Sequence, residues 1–427
     1  MTAFSLEPAQ LAWCAELRTL AAERLHPLAD KGEPGHVNRA LVAELGRLGL
    51  LGRLFTSGAL DLCLMRESLA YACTEAETAL ALQGLGAHPV HAYGTEAQRA
   101  RWIPRVTAGT AIAAFALSEP GAGSDAAALE LRAEADASQA GRSSDAAQVG
   151  GSSGAAQVGG SSDAAQVGRS SGAAQVGRSS DAPVLAAAPD GPARWRLTGE
   201  KCWISNAPEA DFYTVFARTT PGAGARGVTA FLVPADRPGL TGRGLDMLSP
   251  HPIGALDFDA VPVTADDVLG EADRGFRVAM GTLNLFRPSV GAFAVGMAQA
   301  ALDATLAYTA GRDAFGGKLR DLQAVSHQVA EMALRTEAAR LMVHAAAYDA
   351  DDPDVPRRSA MAKLLATETA QYVVDTAVQL HGARALQRGH LLEHLYREVR
   401  APRIYEGASE VQRGIIAKEL YARQEAR

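Results

Sequence analysis

Residues 116–125 read ALSEPGAGSD. A Ser-Glu-Pro turn leads into Gly121 and Gly123, and glycines, lacking a Cβ, let backbone amides approach a planar polar ligand closely. A glycine-rich turn joining a helix to a strand accounts for the same residues, and the stretch alone does not separate the two. Its position is more informative, because the apolar pattern changes there from helical spacing to short strands.

Upstream, over residues 6 to 112, AQLAWCAELRTLAAERLHPLAD puts Leu11, Cys14, Leu17, Leu20 and Ala21 near one face ahead of Pro27. LCLMRESLAYACTEAETALAL keeps the i, i+3, i+4 rhythm, and TEAQRARWIPRVTAG starts on Thr95 as an N-cap with Trp102 and Val106 on one side. Downstream, WRLTGEKCWISNAPEADFYTVFART, GVTAFLVPAD and IGALDFDAVPVTADDVLG are β-rich runs bounded by Gly, Pro, Asn and Asp. From residue 271 helices return and lengthen, with Val290, Ala294, Met297, Ala301, Thr305 and Tyr308 on one stripe and Gly382 stopping a later helix. The expectation is a multidomain α+β chain: an N-terminal α-helical domain (1–112), a middle antiparallel, barrel-like β domain (113–270) and a C-terminal four-helix bundle (271–427).

Residues 141–185 interrupt the β region with five copies of a nine-residue unit rich in Ser, Gly, Ala, Asp and Gln. One Val per unit buries too little apolar surface to offset ordering of the chain. Asp occurs only in alternate units, whereas a calcium-binding β-roll needs it in each, so the repeat reads as a surface insertion.

The totals narrow the class. Apolar residues make up 48% and charged residues 21%, as in ordinary soluble proteins. A net charge of -7 argues against a nucleic-acid partner. Apolar runs such as GTAIAAFAL are short for a membrane span, and the first residues do not pattern as a secretory signal. Four cysteines without CxxC spacing fit a reduced, cytoplasmic setting with no metal site.

Three further motifs follow. In KCWISNA, Trp203 and Ser205 alternate with Cys202 and Ile204, so one strand face offers a ring and a hydroxyl; a Trp in a β core reads the same way. In GRDAFGGKLRDLQAV, the Arg312 guanidinium could pair with a pyrophosphate or serve as a helix-end surface charge. In RIYEGASEVQ, Pro402 ends one helix, Gly407 permits a turn, and Ser409-x-x-Gln412 reads as a capping box opening the next. Glu406 therefore lies on a short loop between helices, where a carboxylate beside Ile404 and Tyr405 is suited to desolvation, a raised pKa and work as a general base. A loop Glu ahead of a helix reads equally as a solvated capping charge.

Taken together, the α, β, α order and these four motifs resemble the acyl-CoA dehydrogenase family of flavoproteins along the whole chain apart from the repeat. The resemblance implies FAD as cofactor, with Phe115, Ala116, Leu117, Ser118 and Gly123 around the flavin and Ser118 hydrogen-bonding its ring. Trp203, Ile204 and Ser205 would pack against it, the hydroxyl near N5. Arg312, Phe315 and Gln323 match positions that reach the FAD of a neighbouring subunit, which makes the protein a homo-oligomer, a dimer or tetramer. Gln379, Gly382, Ala383, Ala408 and Glu410 complete the implied cofactor set. Ser124, Asn284, Arg287, Tyr405 and Gly407 match substrate contacts, Ser124 on the pantetheine arm.

Glu406 matches the family's usual base. The implied reaction removes the pro-R α-proton of an acyl-CoA thioester at Glu406 while the β-hydrogen passes as hydride to flavin N5. The carbonyl is polarised by a ribityl hydroxyl and the Glu406 N–H, and the product is a trans-2-enoyl-CoA. Electrons would pass to an electron-transfer flavoprotein, in fatty-acid β-oxidation. Thioesters of an acyl carrier protein, or oxygen as acceptor, form the second reading; Glu rather than Asp at 406 disfavours a nitroalkane oxidase. A catalytically idle relative is the reading from another class. It is kept open by Ala408, where a Thr is frequent, and by Gly382-Ala383-Arg384-Ala385, where a tighter glycine loop is usual.

Overall fold

A computed structural model of the protein describes residues 6–136, 194–348 and 354–425. Seven helices come first: α1 (Pro8–Leu20), α2 (His26–Ala29), α3 (Arg39–Arg47), α4 (Leu50–Thr56), α5 (Ala59–Ala72), α6 (Thr74–Tyr93) and α7 (Glu96–Thr107). Pro27 does not interrupt the helical run. A π-helical turn over Ala21–Leu25 carries the chain into α2, where Pro27 sits in the first turn and needs no N–H partner. Leu17, Ala21 and Leu25 are fully buried, while Leu11, expected on that face, is 56% exposed. The Thr95 cap forms with its reciprocal partner Gln98, whose side chain also donates to the carbonyls of Asp266 and Val268 and so ties α7 to the sheet.

The strands are β1 (Ala113–Ala116), β2 (Arg132–Ala135), β3 (Arg194–Ser205), β4 (Phe212–Arg218), β5 (Val228–Pro234), β6 (Leu240–Gly244) and β7 (Ile253–Thr264). They form one sheet in the order β1-β4-β2-β3-β7-β6, with β5 paired to β4. Neighbours β2–β3, β3–β7, β4–β5 and β6–β7 are antiparallel, but β1 enters parallel to β4, and β2 meets β4 parallel at Arg132 and Arg218. β5 is buried at every residue and β4 at all but Arg218, because helices α6, α7 and α8 cover one face while the strands β2, β3 and β7 of the same curled sheet close over the other. The Asp136 N–H donates to the Arg194 carbonyl at 2.9 Å, so the two ends flanking residues 137–193 lie side by side. The repeat itself is outside the described residues.

The C-terminal part holds α8 (Gly275–Gly311), a two-residue hairpin of β8 (Asp313–Ala314) and β9 (Gly317–Lys318), α9 (Gln323–Tyr348), α10 (Val355–His381), α11 (Leu391–Glu398) and α12 (Ser409–Glu425). By length and composition α8 could cross a membrane, contrary to the expectation drawn from short apolar runs. Within its most apolar window 72% of residues are buried, and it is the central core helix, packed against α5, α9 and α10. A Cβ at Gly296 would run into the Glu67 carbonyl, so glycine there sets how closely α8 and α5 approach.

Candidate active site

The chain between α11 and α12 makes a short turn in which Glu406 (φ 52°) and Gly407 (φ 93°) are both left-handed. For Glu this conformation is costly and persists only where the surroundings impose it. Gln412 Nε2 donates to the Glu406 carbonyl at 3.1 Å and the Gly407 carbonyl at 2.9 Å. Lys363 Nζ donates to the Gly407 carbonyl at 2.6 Å, and Arg287 Nε reaches the Glu406 carbonyl at 3.4 Å. A side chain at Gly407 would collide with Gln412. The expected capping box is not what these residues do: Ser409 is the first residue of α12 and donates to Glu368 at 2.6 Å, while Gln412 is committed to the turn.

Glu406 Oε2 is buried and, among the described residues, has no hydrogen-bond partner. Burial pushes the carboxyl above its ordinary range, against the opposing charges of Arg66, Lys363 and Arg287. Arg66 is itself buried between Glu77 and Ser289 (2.7 Å to Oγ), joining α5, α6 and α8. Among the residues expected to contact substrate, Asn284 accepts from Arg287 at 2.8 Å. Arg287 and Gly407 meet Glu406 directly, and Tyr405 precedes it.

Beside this cluster, His251 and Glu398 pair at 2.6 Å across the junction of the sheet region and α11. Burial works against both charges, yet each partner prevails, leaving His251 raised and Glu398 lowered. The raised His contributes stability below its ordinary value of 6.5 and loses it as pH rises through the folded value. The lowered Glu contributes above 4.5 and loses it on acidification. The melting-temperature difference between wild type and His251→Gln is therefore expected to be largest between those two values and to shrink as pH rises above them. A difference that grows toward pH 9 would contradict this.

The second group of expected site residues lies on the sheet. The Cys202 N–H donates to the Ser118 carbonyl at 3.0 Å, setting β3 against the turn after β1. Trp203 is 49% exposed and Ser205 half-buried, with Cys202 and Ile204 buried behind, as the alternation implied. A bulge with Trp203 at φ 57° accompanies this face. Ala116 and Leu117 are buried, Phe115 half-buried, and Gly123 and Ser124 exposed. A Cβ at Gly121 or Gly123 would meet nothing within 4 Å, so the turn is open on that side.

Two residues not identified from the sequence fix this turn. Glu119, buried, accepts from the backbone of Glu130 (2.6 Å) and Leu131 (2.9 Å) and from Lys201 Nζ (2.8 Å). Lys201, fully buried, also donates to the Leu117 carbonyl at 2.9 Å, and burial lowers its pKa to about 8.

Arg312, Phe315, Gln323, Gln379, Gly382 and Ala383 gather instead at the far end of the helical bundle, all exposed, Phe315 at 91%. Tyr308 stacked on His381 joins α8 and α10 there. Arg312 stands 25 residues beyond Arg287, about 37 Å along a helix rising 1.5 Å per residue, so one chain does not bring this group to Glu406. In the altered loop Ala385 is buried in the bundle, which turns its methyl group away from the exposed Gly382–Ala383 side. Ala408 is half-buried and Glu410 exposed beside the base's turn.

Three family models match in order: the N-terminal domain of acyl-CoA dehydrogenases over residues 7–110, the middle domain over 172–261 and the C-terminal domain over 273–421. Bovine mitochondrial short-chain specific acyl-CoA dehydrogenase is 32% identical over 416 residues, spanning 94% of this chain and 88% of its own. The structure of butyryl-CoA dehydrogenase from Megasphaera elsdenii superposes with a TM-score of 0.80 at 27% identity, over 98% of this chain and 99% of that one. A chain from a structure of the electron-transferring flavoprotein of Acidaminococcus fermentans superposes at 0.79, also 27% identical, over 98% and 99%.

Proposed function

The chain belongs to the acyl-CoA dehydrogenase family of oxidoreductases, and on that premise we propose that it oxidises an acyl-CoA thioester to the trans-2-enoyl-CoA with Glu406 as the α-proton base. The observation that carries this reading is the Glu406 carboxyl: buried, unpartnered at Oε2, on a turn held from α8, α10 and α12. A solvated carboxylate is too weak a base for a carbon acid, and raising its pKa brings it closer to that task. Among the described residues nothing accepts the Glu406 N–H, which leaves that donor for the thioester carbonyl; polarising the carbonyl acidifies the α-carbon. Arg287 and Gln412 keep the turn's own carbonyls occupied, so they do not compete for the substrate.

FAD is the cofactor, and the donor set fits it: the exposed Trp203 ring and Ser205 hydroxyl on one strand face, beside the open glycine turn. When bound, it supplies the acceptor for the β-hydrogen and two electrons. Ser118 and Ser205 would hold the ring's polar edge, and Ser124 the pantetheine arm. The exposed Arg312, Phe315 and Gln323, too far to serve their own chain's base, are taken to serve a neighbouring subunit, which makes the enzyme a homo-oligomer. The electron acceptor is an electron-transferring flavoprotein. The cysteines are unpaired, in keeping with a reduced cytoplasmic setting.

The test is an anaerobic titration of the purified, flavin-loaded protein with acyl-CoAs of increasing chain length, following the flavin's visible band. Bleaching by one chain-length class is expected. A yellow protein that no acyl-CoA bleaches sinks the reading in favour of another thioester, such as one on a carrier protein. A colourless protein that takes up no FAD sinks it at the cofactor.

A further inference from the structure

Lys363 occupies a position that neither packing nor solvation explains. It lies in the middle of α10, its side chain is fully buried, and its ammonium group bonds the Gly407 carbonyl, which Gln412 already serves. Burying a cation is costly unless its charge is used. No carboxylate among the described residues lies within ion-pair distance of it. The charges that act on it are Glu406 first, then Arg287, Glu368 and Glu410. Those that act on Glu406 are Arg66 from α5, Lys363 from α10 and Arg287 from α8. Of these three, Arg66 is neutralised by the buried Glu77, and Arg287 is shared with Asn284. Lys363 makes the shortest of the bonds that hold the turn, and no carboxylate among the described residues pairs with it to offset its charge.

Resting on the assignment of Glu406 as base, we propose that Lys363 is a positioning residue for it. Its ammonium group holds the Gly407 carbonyl, and through it the left-handed Glu406 backbone, while its charge favours the ionised form of the Glu406 carboxyl. Two effects follow, with different signatures. Loss of the hydrogen bond loosens the turn that carries the base, and lowers kcat more than it changes KM. Loss of the charge lets burial push the Glu406 carboxyl higher still, so its basic form appears only at higher pH.

The experiment measures kcat and KM against pH for flavin-loaded wild type, Lys363→Met and Lys363→Arg, using an acyl-CoA that bleaches the wild type, with Glu406→Gln alongside. For Lys363→Met, kcat is expected to fall roughly 10- to 100-fold at neutral pH, with a smaller change in KM. The acid limb of its kcat/KM profile is expected to move up by about one pH unit. Lys363→Arg, retaining the charge, is expected to leave the acid limb in place while lowering kcat. A Met variant with wild-type kcat and an unmoved acid limb overturns the proposal, as does an Arg variant whose limb moves as far as that of Met. Should the Met variant not fold, Lys363→Gln takes its place under the same criteria, and the Arg variant decides if neither neutral variant folds. Turnover retained in Glu406→Gln instead refutes the base assignment, which separates the two failures.

Discussion

Glu406→Gln is expected to slow anaerobic flavin bleaching by acyl-CoA by about 10²–10⁴-fold, the usual contribution of a positioned general base. The substitution is nearly isosteric, and what holds the turn is not the carboxyl: its bonds run from Gln412, Lys363 and Arg287 to the backbone carbonyls. The variant should therefore fold, load flavin and bind acyl-CoA as the wild type does. The burial that raises the carboxyl's pKa penalises only its charged form, so a neutral amide is easier to accommodate and the melting temperature should not fall. Loss of bleaching alongside wild-type affinity, read from ligand-induced perturbation of the flavin spectrum, isolates the proton-transfer step. A bleaching rate within threefold of wild type would mean that some other group takes the proton.

The second large effect is expected at Lys201→Met. Removing one partner of a buried ion pair strands the other, at a cost of about 3–5 kcal/mol. Here the stranded group is Glu119, which still accepts from Glu130 and Leu131 but loses its cation, while the Leu117 carbonyl loses its donor. Burial lowers the Lys201 pKa only to about 8, so the residue carries its charge at neutral pH. The turn between β1 and β2 would loosen, and the Ser118 and Gly123 backbone with it. The denaturant midpoint should drop accordingly, and flavin should dissociate on gel filtration. Replacing both partners, Lys201→Met with Glu119→Gln, should cost less than the Lys201 change alone, because the uncompensated charge is gone. A single-variant loss below about 1 kcal/mol would mean the turn is held otherwise.

Much of this was legible in the chain because it is local. Thr95 and Gln98 are three residues apart and cap α7 as their types require; Trp203 and Ser205 share a face because strand alternation places them there. Glu406 could be set on an inter-helix loop from Pro402 and Gly407 alone. The misses are matters of tertiary company. Lys363 reads as an ordinary helical lysine until the turn 44 residues later closes over it. Lys201 looks like an unfavourable strand residue, and only Glu119, 82 residues earlier, explains it. Arg66 and Glu77 sit on different helices, so no i, i+4 rule could pair them. The Ser409–Gln412 spacing satisfied the capping pattern, but the nearby carbonyls of a strained turn claimed the Gln first. β4 and β5 lack alternation because helices close one face and the curled sheet's own strands the other, a fact that belongs to the domain packing and not to either strand.

The unbroken run of α8 also makes it a lever. Its 37 residues span about 55 Å, with Arg287 against the base's turn and Arg312 just past the far end. Over the roughly 37 Å between those two, a tilt of only about 3° displaces one end by about 2 Å relative to the other, and misplacement of about 1 Å can already cost a reaction 10²-fold. Angular stiffness, more than local packing at either end, is then what the glycine–alanine contacts along its length secure. Gly296 against Glu67, and Gly291 against Val343, are clamps partway along the shaft, where an added methyl group would be magnified at both ends.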